Sequence, residues 1–217
     1  MDPGAAVVRR RSGAPAGRRR GPSKGDRREQ AIVEVAAQLL QSRPVEDLTV
    51  DDLAAGAGIS RSTFYFYFDS IDAVVRALAV LVGDELGQLL GAPHPEVPPR
   101  DTIRSNVEAY LRRWRRHGHI LRAMQSRYEL DPWLRSYWDG VSAAARNRLA
   151  QFIDQERRRG RATGAVPAED LAAVLGAMAW RCGYEVSLRS TDTDDRTAEA
   201  MTEVWARTVY GTADPAP

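Results

Sequence analysis

Hydrophobic residues recur at intervals of three and four positions along most of the chain, which is the spacing of one face of an α-helix. The first such segment, at about 24–41, has its apolar side chains on one stripe: Ile32, Val35, Ala36, Leu39 and Leu40. Pro44 follows it, and a residue that precedes a proline disfavours helical geometry. No series of short alternating segments bounded by turn pairs suggests a β-sheet. The pattern therefore predicts an all-α fold.

Later segments repeat this spacing, with glycine, proline or polar residues between them. About nine helices are predicted in total, at residues 24–41, 50–56, 61–67, 70–90, 101–117, 119–129, 132–159, 167–189 and 195–210. Gly118 separates two of them, because glycine is common where a helix ends. The stretch at 93–99 contains four prolines and is expected to be a linker.

One short segment has a competing interpretation. Residues 63–68 read ThrPheTyrPheTyrPhe, an alternating run of residues that favour strands. A lone strand would have no partner to bind its backbone N–H and C=O groups, and helical patterns flank it on both sides. In a helix, Phe64 and Phe68 share one face. The helix is therefore preferred.

Residues 49–68 have the parts of a helix-turn-helix. Thr49 and Ser60 are suited to cap two short helices, and Gly58 supplies a permissive residue in the turn between them. The apolar positions that can form their small core are Leu53, Ala54, Ala57, Ile59, Phe64 and Phe68. In DNA-binding proteins with this motif, the N-terminal end of the second helix enters the major groove. The alternative is an ordinary helical hairpin whose polar residues face solvent.

Composition limits the class of protein. The chain has 217 residues, 43% hydrophobic and 28% charged, enough for one domain or for a small module joined to a larger one. Its single cysteine, Cys182, excludes an internal disulfide. No apolar run approaches the roughly 20 residues that span a bilayer, and no apolar core follows the basic N-terminus as in a secretory signal. We expect a cytoplasmic protein without a membrane segment.

Charge is unevenly distributed. The formal net charge is +2, but residues 1–28 carry nine Lys or Arg side chains against two acidic ones. A basic arm beside a folded body commonly binds a polyanion such as DNA. A solvated tail without function is the alternative that the arm alone leaves open.

The sequence LTVDDLAAGAGISRSTFYFYFDSIDAV at 48–74 resembles the N-terminal domain of the TetR family of bacterial transcriptional repressors. The similarity is closest to the EthR-like branch. It is strong over 27 to about 75 and weaker in the helix order of the remaining chain, including its ending at 205–211. Ile71 stands where the family usually has a lysine that meets a DNA phosphate, so the resemblance does not extend to that contact.

Polar and aromatic side chains of the second short helix are suited to phosphates, base edges and thymine methyl groups. The resemblance places most of them where the family contacts its operator. With Arg27 of the first helix, the candidate DNA-binding residues are Thr49, Ser60, Arg61, Ser62, Thr63, Tyr65 and Tyr67.

The C-terminal body is rich in large side chains. The candidate ligand-binding residues are Tyr110, Trp114, Met124, Trp138, Phe152, Met178, Trp180, Tyr184 and Trp205. Taken alone, these residues fit either core packing with a dimer face or an apolar cavity with few polar anchors. The resemblance favours a cavity. Gly176 and Ala179 stand where the EthR-like branch tends to have polar amides.

The resemblance also implies a homodimer through the last two long helices, about 168–188 and 196–209. We therefore expect a basic disordered arm at 1–23, a helix-turn-helix domain at 24–69, a ligand-binding and dimerisation domain at 70–211 and a disordered tail at 212–217. The predicted function is a repressor that binds a palindromic operator in double-stranded DNA and is released by a small apolar effector.

Two other functions remain open from the residues alone. One is an all-α carrier or enzyme that uses the aromatic cavity, and the other is a protein that binds DNA without regard to sequence. No phosphate-binding glycine loop or nucleophile motif supports an enzyme. His117 and His119 are two residues apart and do not share a helix face, so we expect neither a metal site nor a cofactor.

Overall fold

The structure, a computed structural model, describes residues 24–87, 99–189 and 194–211. Within them lie eight α-helices and no β-strand: α1 Lys24–Leu39, α2 Val50–Gly56, α3 Arg61–Tyr67, α4 Ile71–Gly87, α5 Pro99–Tyr128, α6 Pro132–Arg158, α7 Ala168–Leu188 and α8 Asp194–Tyr210. The all-α prediction is confirmed. The predicted arm at 1–23, the tail at 212–217, most of the linker and most of the polar run at 190–195 lie outside the described residues.

One predicted helix boundary was wrong. Residues 101–117 and 119–129 belong to a single helix, α5, which passes through Gly118 without a break. Gly118 is buried, and a Cβ atom at this position would collide with the Cβ of Ser187 on α7. The glycine therefore permits close approach of α5 and α7, which sequence spacing cannot distinguish from a helix end. The part of the chain that the structure describes thus has eight α-helices, with an additional 3₁₀ turn at Val45–Asp47.

Helices α1, α2 and α3 pack around a small apolar core that includes Ile32, Leu53 and Phe64, all fully buried. The rings of Phe64 and Phe68 lie on the same face of the chain, with centroids 6.1 Å apart. Residues 61–67 are helical, which settles the competing strand interpretation. We call α1 to α3 the head and α5 to α8 the body.

Helix α4 shares its buried face with both parts. Val74, Leu78 and Val82 of α4 belong to one apolar cluster with Phe64 of the head and with Trp114 of the body. A second cluster lies among α5, α6, α7 and α8. Among the described helices, none is both long enough and apolar enough to cross a membrane.

Candidate DNA-binding surface and ligand cavity

Hydrogen-bonded caps set the geometry of the head. The backbone N–H of Asp52 donates to Thr49 Oγ1, and the backbone N–H of Thr49 donates to the Asp52 carboxylate, each at 3.1 Å. The bonds from Thr49 lower the pKa of Asp52. Gly58 then turns the chain at φ 64°, a left-handed conformation that other residues rarely adopt. Together these features place α3 against α2.

Ser60 begins the second helix of the motif. Its hydroxyl accepts the backbone N–H of Thr63 at 3.1 Å and lies 2.9 Å from Ser62 Oγ and 2.8 Å from Thr63 Oγ1. Three hydroxyl groups therefore gather at the N-terminal end of α3. Ser60 and Ser62 are exposed and Thr63 is partly exposed, so this end presents several hydrogen-bonding groups to solvent.

Arg61 is held on the exposed face of the same helix. Its Nη1 donates to Asp51 Oδ2 at 2.8 Å and its Nη2 donates to the Tyr65 hydroxyl at 3.2 Å. The hydrogen bond and charge of Asp51 raise the pKa of Arg61, so the guanidinium stays charged. A phosphate that binds Arg61 would have to share it with Asp51.

Six of the eight candidate DNA contacts belong to α3 or its N-cap. Ser60, Arg61, Ser62, Thr63, Tyr65 and Tyr67 lie on α3 or cap it, Thr49 caps α2, and Arg27 lies on α1. Of these, Thr63 and Tyr67 are partly buried and the others are exposed.

The body contains a partly open cavity of about 580 Å³ between α5, α6, α7 and α8. A row of rings forms part of its wall. The ring centroids of Tyr110 and Trp114 are 6.4 Å apart, those of Trp114 and Trp180 4.8 Å, and those of Trp180 and Trp138 5.3 Å. Burial raises the pKa of Tyr110, so its hydroxyl stays neutral.

Six of the nine candidate ligand contacts line this cavity: Tyr110, Trp114, Met124, Trp138, Trp180 and Trp205. The other three lie outside the lining. Phe152 and Met178 pack against the second apolar cluster, and Tyr184 meets the ring of Trp114 edge-on at 6.5 Å. All three are partly buried, and their aromatic or flexible character could not show which side of each helix the cavity occupies.

Several polar side chains also border the cavity: Asn106, Gln125, Tyr128, Asp139, Ser142, Arg146 and Arg148. Gly176 and Ala179 line it as well and bring no polar group. The described residues contain no group of three or more histidine, cysteine or acidic side chains that could hold a metal ion.

Two protein-family models match successive parts of the chain. Residues 32–78 match the bacterial regulatory proteins of the tetR family, and residues 103–211 match the C-terminal domain of the transcriptional regulator EthR. The chain belongs to the TetR family. As a member of this family it is a DNA-binding transcriptional regulator and not an enzyme.

Individual relatives support the assignment of this TetR-family regulator. It is 32% identical over 207 residues to the HTH-type transcriptional regulator EthR of Mycolicibacterium smegmatis, covering 91% of this chain and 93% of the relative. The EthR of Mycobacterium tuberculosis H37Rv is 33% identical over 202 residues, with 91% and 94% covered. A transcriptional regulator structure from Pseudomonas aeruginosa PAO1 shares the fold, with a TM-score of 0.70 at 19% identity over 87% and 93% of the two chains.

Sequence reasoning did not single out one exposed residue of this TetR-family regulator. Phe66 on α3 is 83% exposed and meets Tyr67 edge-on, with ring centroids 5.2 Å apart. Residue 66 lies two positions from both Phe64 and Phe68, so a helical projection places it opposite the buried face. This projection alone would have identified Phe66 as an exposed aromatic residue.

The departure at Ile71 also has a structural counterpart. Ile71 is the first residue of α4 and packs, partly buried, against the apolar cluster shared by head and body. A lysine here would direct a charge outward. The isoleucine instead adds apolar contact between α4 and its neighbours.

Proposed function

We propose that this TetR-family regulator is a repressor that binds a palindromic operator as a homodimer. A small apolar molecule that enters the cavity of the body releases it from DNA. The observation that carries this proposal is the shared apolar cluster: Trp114, Met124 and Leu134 line the cavity, and the same cluster includes Phe64 of the head.

Helix α4 is the mechanical link in this proposal. Arg76 of α4 binds Asp131 at the start of α6, and Tyr137 of α6 donates to the carbonyl of Val80 at 3.4 Å. Close-packed interiors have discrete arrangements and do not deform continuously. A ligand that binds better to one arrangement of α6 and α4 shifts the population toward the corresponding position of the head.

The DNA contacts proposed for α3 follow from its exposed end. The hydroxyls of Ser60, Ser62 and Thr63 can donate to phosphates or base edges, and the guanidinium of Arg61 can bind a phosphate or a guanine. Tyr65 and Tyr67 can contact phosphates or thymine methyl groups. Arg27 and the basic arm at 1–23 add charge for the phosphate backbone.

The proposed dimer uses α7 and α8. Val174 and Leu188 of α7 and Val204 of α8 are large apolar side chains that the single chain leaves exposed. Ala173 and Ala177 are small and exposed, so they would permit close helix packing, and both also border the cavity. A symmetric dimer presents its two reading helices about 34–36 Å apart, which corresponds to half-sites one DNA turn apart. In this scheme 24–69 form the DNA-binding domain and 70–211 the sensing and dimerisation domain.

The DNA part is tested with the full-length protein and DNA from its own promoter region. We expect preference for this DNA over random competitor at about 150 mM salt, where non-specific phosphate binding is weakened. Arg61→Glu should abolish the preference. Arg158→Glu is the control, because Arg158 is exposed in the last turn of α6, roughly 40 Å along that helix from its start. Equal binding to both DNAs would indicate a sequence-indifferent protein and contradict the proposal.

The sensing part is tested separately. A panel of apolar compounds is screened for an increase in melting temperature, and those that bind are added to the DNA complex. We expect some of them both to stabilise the protein and to weaken DNA binding. If compounds bind but leave the affinity for promoter DNA unchanged, a carrier function is favoured. Release of the protein from DNA by a ligand is then contradicted. Sedimentation of the free protein checks the dimer.

A further inference from the structure

Arg148 is a partly buried arginine in the cavity wall that has no partner among the described residues. It lies on the same face of α6 as Trp138, Val141 and Ala145, all of which line the cavity. Its Nε atom is buried and donates no hydrogen bond within the described part of the chain. No ion pair or other hydrogen bond joins Arg148 to a described residue. The guanidinium of Arg148 is always charged, and its buried Nε–H has no hydrogen-bond acceptor among the described residues.

Other arginines with a buried Nε do not share this situation. Arg127 pairs with Asp72 at 3.3 Å, and Arg161 donates from Nη2 to Glu156 at 2.7 Å. Arg157 donates from Nη2 to the carbonyl of Val166 at 2.7 Å. Each of these side chains therefore has an ion-pair or hydrogen-bond partner among the described residues. Arg148 differs from them in facing the cavity.

A second buried donor borders the same cavity. Trp205 of α8 lines the cavity, and its Nε1 is buried without a hydrogen-bond partner in the described residues. An indole N–H can only donate. Trp205 packs against the second apolar cluster, which also contains Leu149, the residue next to Arg148. Both unmet donors therefore border the same cavity.

The acidic residue of the cavity wall lies elsewhere. Asp139 precedes Arg148 by nine residues, which is about 13 Å along α6. Its carboxylate already accepts the hydroxyl of Tyr128. It does not serve Arg148 as a counter-ion. Arg146 also borders the cavity but is exposed to solvent.

We propose that the cavity binds an amphipathic monocarboxylate, a molecule with an alkyl tail and one carboxylate head. The carboxylate accepts hydrogen bonds from Arg148, with Trp205 Nε1 as an additional donor, and the tail lies along the aromatic rings. A guanidinium and a carboxylate match in charge and in their forked geometry. A single arginine balances one negative charge, which favours a carboxylate over a phosphate.

The aromatic row and the donor are separated in a way that suits such a molecule. Ten residues of α6 separate Trp138 from Arg148, a rise of about 15 Å. An alkyl chain can follow this distance along an apolar wall while its head remains at the arginine. The inference rests on the proposed function, because it assigns a chemical class to the ligand of the same cavity.

The test compares two molecules that differ only in the head group, decanoate and decan-1-ol. Binding to the full-length protein is followed by tryptophan fluorescence, because four tryptophans line the cavity. We expect decanoate to bind about tenfold or more tightly than the alcohol. Arg148→Met should remove this preference and leave alcohol binding nearly unchanged. Arg158→Met, an exposed arginine of the same helix, should retain it.

Two further measurements keep the result independent of folding defects. Arg148→Lys preserves the positive charge and should keep part of the preference for decanoate. The indole N–H resonance that disappears in Trp205→Phe should shift in the wild type when decanoate is added. If this resonance shifts with decanoate and changes little with decan-1-ol, Trp205 Nε1 is supported as the second donor to the carboxylate.

The outcomes separate the two proposals. Equal binding of decanoate and decan-1-ol, unchanged in Arg148→Met, would overturn the carboxylate anchor while an apolar ligand site remained. Failure of decanoate to bind would also overturn it. If decanoate binds through Arg148 but does not weaken binding to promoter DNA, the carboxylate anchor is supported. The proposal that a ligand releases the protein from DNA is then contradicted.

Discussion

Arg76 of α4 donates from Nε to Asp131 Oδ2 at 2.7 Å, which joins α4 to the N-terminal end of α6. The other carboxylate oxygen of Asp131 accepts the backbone N–H groups of Trp133 and Leu134 at 3.0 and 3.1 Å. One buried carboxylate thus caps α6 and holds the helix that follows the head. This ion pair joins α6, which contributes to the cavity wall, to α4, the helix that follows the head.

The Asp131 link predicts an acid-sensitive contribution to stability. Burial opposes ionisation, but Arg76 and the two backbone N–H groups outweigh it, so the pKa of Asp131 lies below its ordinary value of 3.8. A carboxyl group whose pKa is lower in the folded state stabilises above the unfolded pKa, and this contribution is lost as the pH falls through the folded value. Asp131→Asn keeps a helix cap but removes the charge. We expect a loss of about 1–3 kcal/mol in the free energy of unfolding at pH 7.

The measurement compares denaturant unfolding of wild type and Asp131→Asn between pH 7 and about pH 3. The difference between them should begin to shrink as the pH falls below about 4, because the unfolded state then takes up a proton that the folded Asp131 does not. Asp154→Asn, an exposed position on α6, should behave like wild type throughout. A difference that stays constant with pH would show that the Asp131 charge does not contribute as described.

Phe66 should contribute to DNA binding without contributing to stability. It is 83% exposed on α3, beside Tyr65 and Tyr67, and makes little contact with the core. We expect Phe66→Ala to change the free energy of unfolding by less than about 0.5 kcal/mol. Promoter binding should weaken by about 1 kcal/mol or more, because apolar side chains on a reading helix can contact thymine methyl groups.

Leu130→Ala is the matched control for Phe66→Ala. Leu130 is also a large exposed apolar residue, 73% exposed, but it lies in the turn between α5 and α6 and not on the reading helix α3. Its loss should leave DNA affinity unchanged in a mobility-shift titration. If the two variants bind promoter DNA equally well, Phe66 takes no part in recognition.

The parts of the fold that were predicted well depend on local interactions. Thr49, Ser60 and Gly58 determine where α2 and α3 begin and turn, and the predicted ranges of both helices were confirmed because caps and left-handed glycines act over a few residues. Gly118 shows the opposite case. Its role depends on Ser187, nearly seventy residues away in the sequence, and no local pattern reveals that contact.

The same distinction applies to the cavity. Aromatic content predicted a lining in general, and Trp138 and Trp180 do lie in the wall. Arg148 carried no signal in the sequence, because arginines are common on helix surfaces and its lack of an acceptor depends on how four helices pack. The DNA contacts proposed from the family resemblance remain predictions, since the free protein shows only which side chains are exposed.

Glu156 should be essential to the end of the body farthest from α4. It is 1% exposed, and its carboxylate accepts from Arg159 at 3.1 Å, Arg161 at 2.7 Å and the Tyr210 hydroxyl at 3.0 Å. Burial, followed by the nearby charge of Glu156, raises the pKa of Tyr210, so this hydroxyl stays a donor. Glu156→Ala should cost about 2–4 kcal/mol in thermal or denaturant unfolding, because it leaves charged and polar partners unsatisfied.

Tyr210→Phe provides the graded comparison for Glu156→Ala. It removes one hydrogen bond from the carboxylate and keeps both arginine contacts, so it should cost about 1 kcal/mol. The two effects should therefore differ clearly in the midpoint of denaturant unfolding. Near-equal stability of wild type and Glu156→Ala would contradict a structural role for this carboxylate.

Gly183 is predicted to control both stability and the shape of the cavity. A Cβ atom at position 183 of α7 would collide with the indole ring of Trp114, a fully buried side chain that lines the cavity. Gly183→Ala must push this ring or the helix aside, and overpacking of this kind costs about 1–3 kcal/mol. Because Trp114 contacts Trp180 and Tyr110, we expect ligand affinity to change together with the melting temperature.

Gly140→Ala is the control, since residue 140 lies within α6 with open space around it. Alanine there should be neutral or stabilise by up to about 1 kcal/mol. Equal melting temperatures for the two variants would show that α7 does not need a glycine against Trp114.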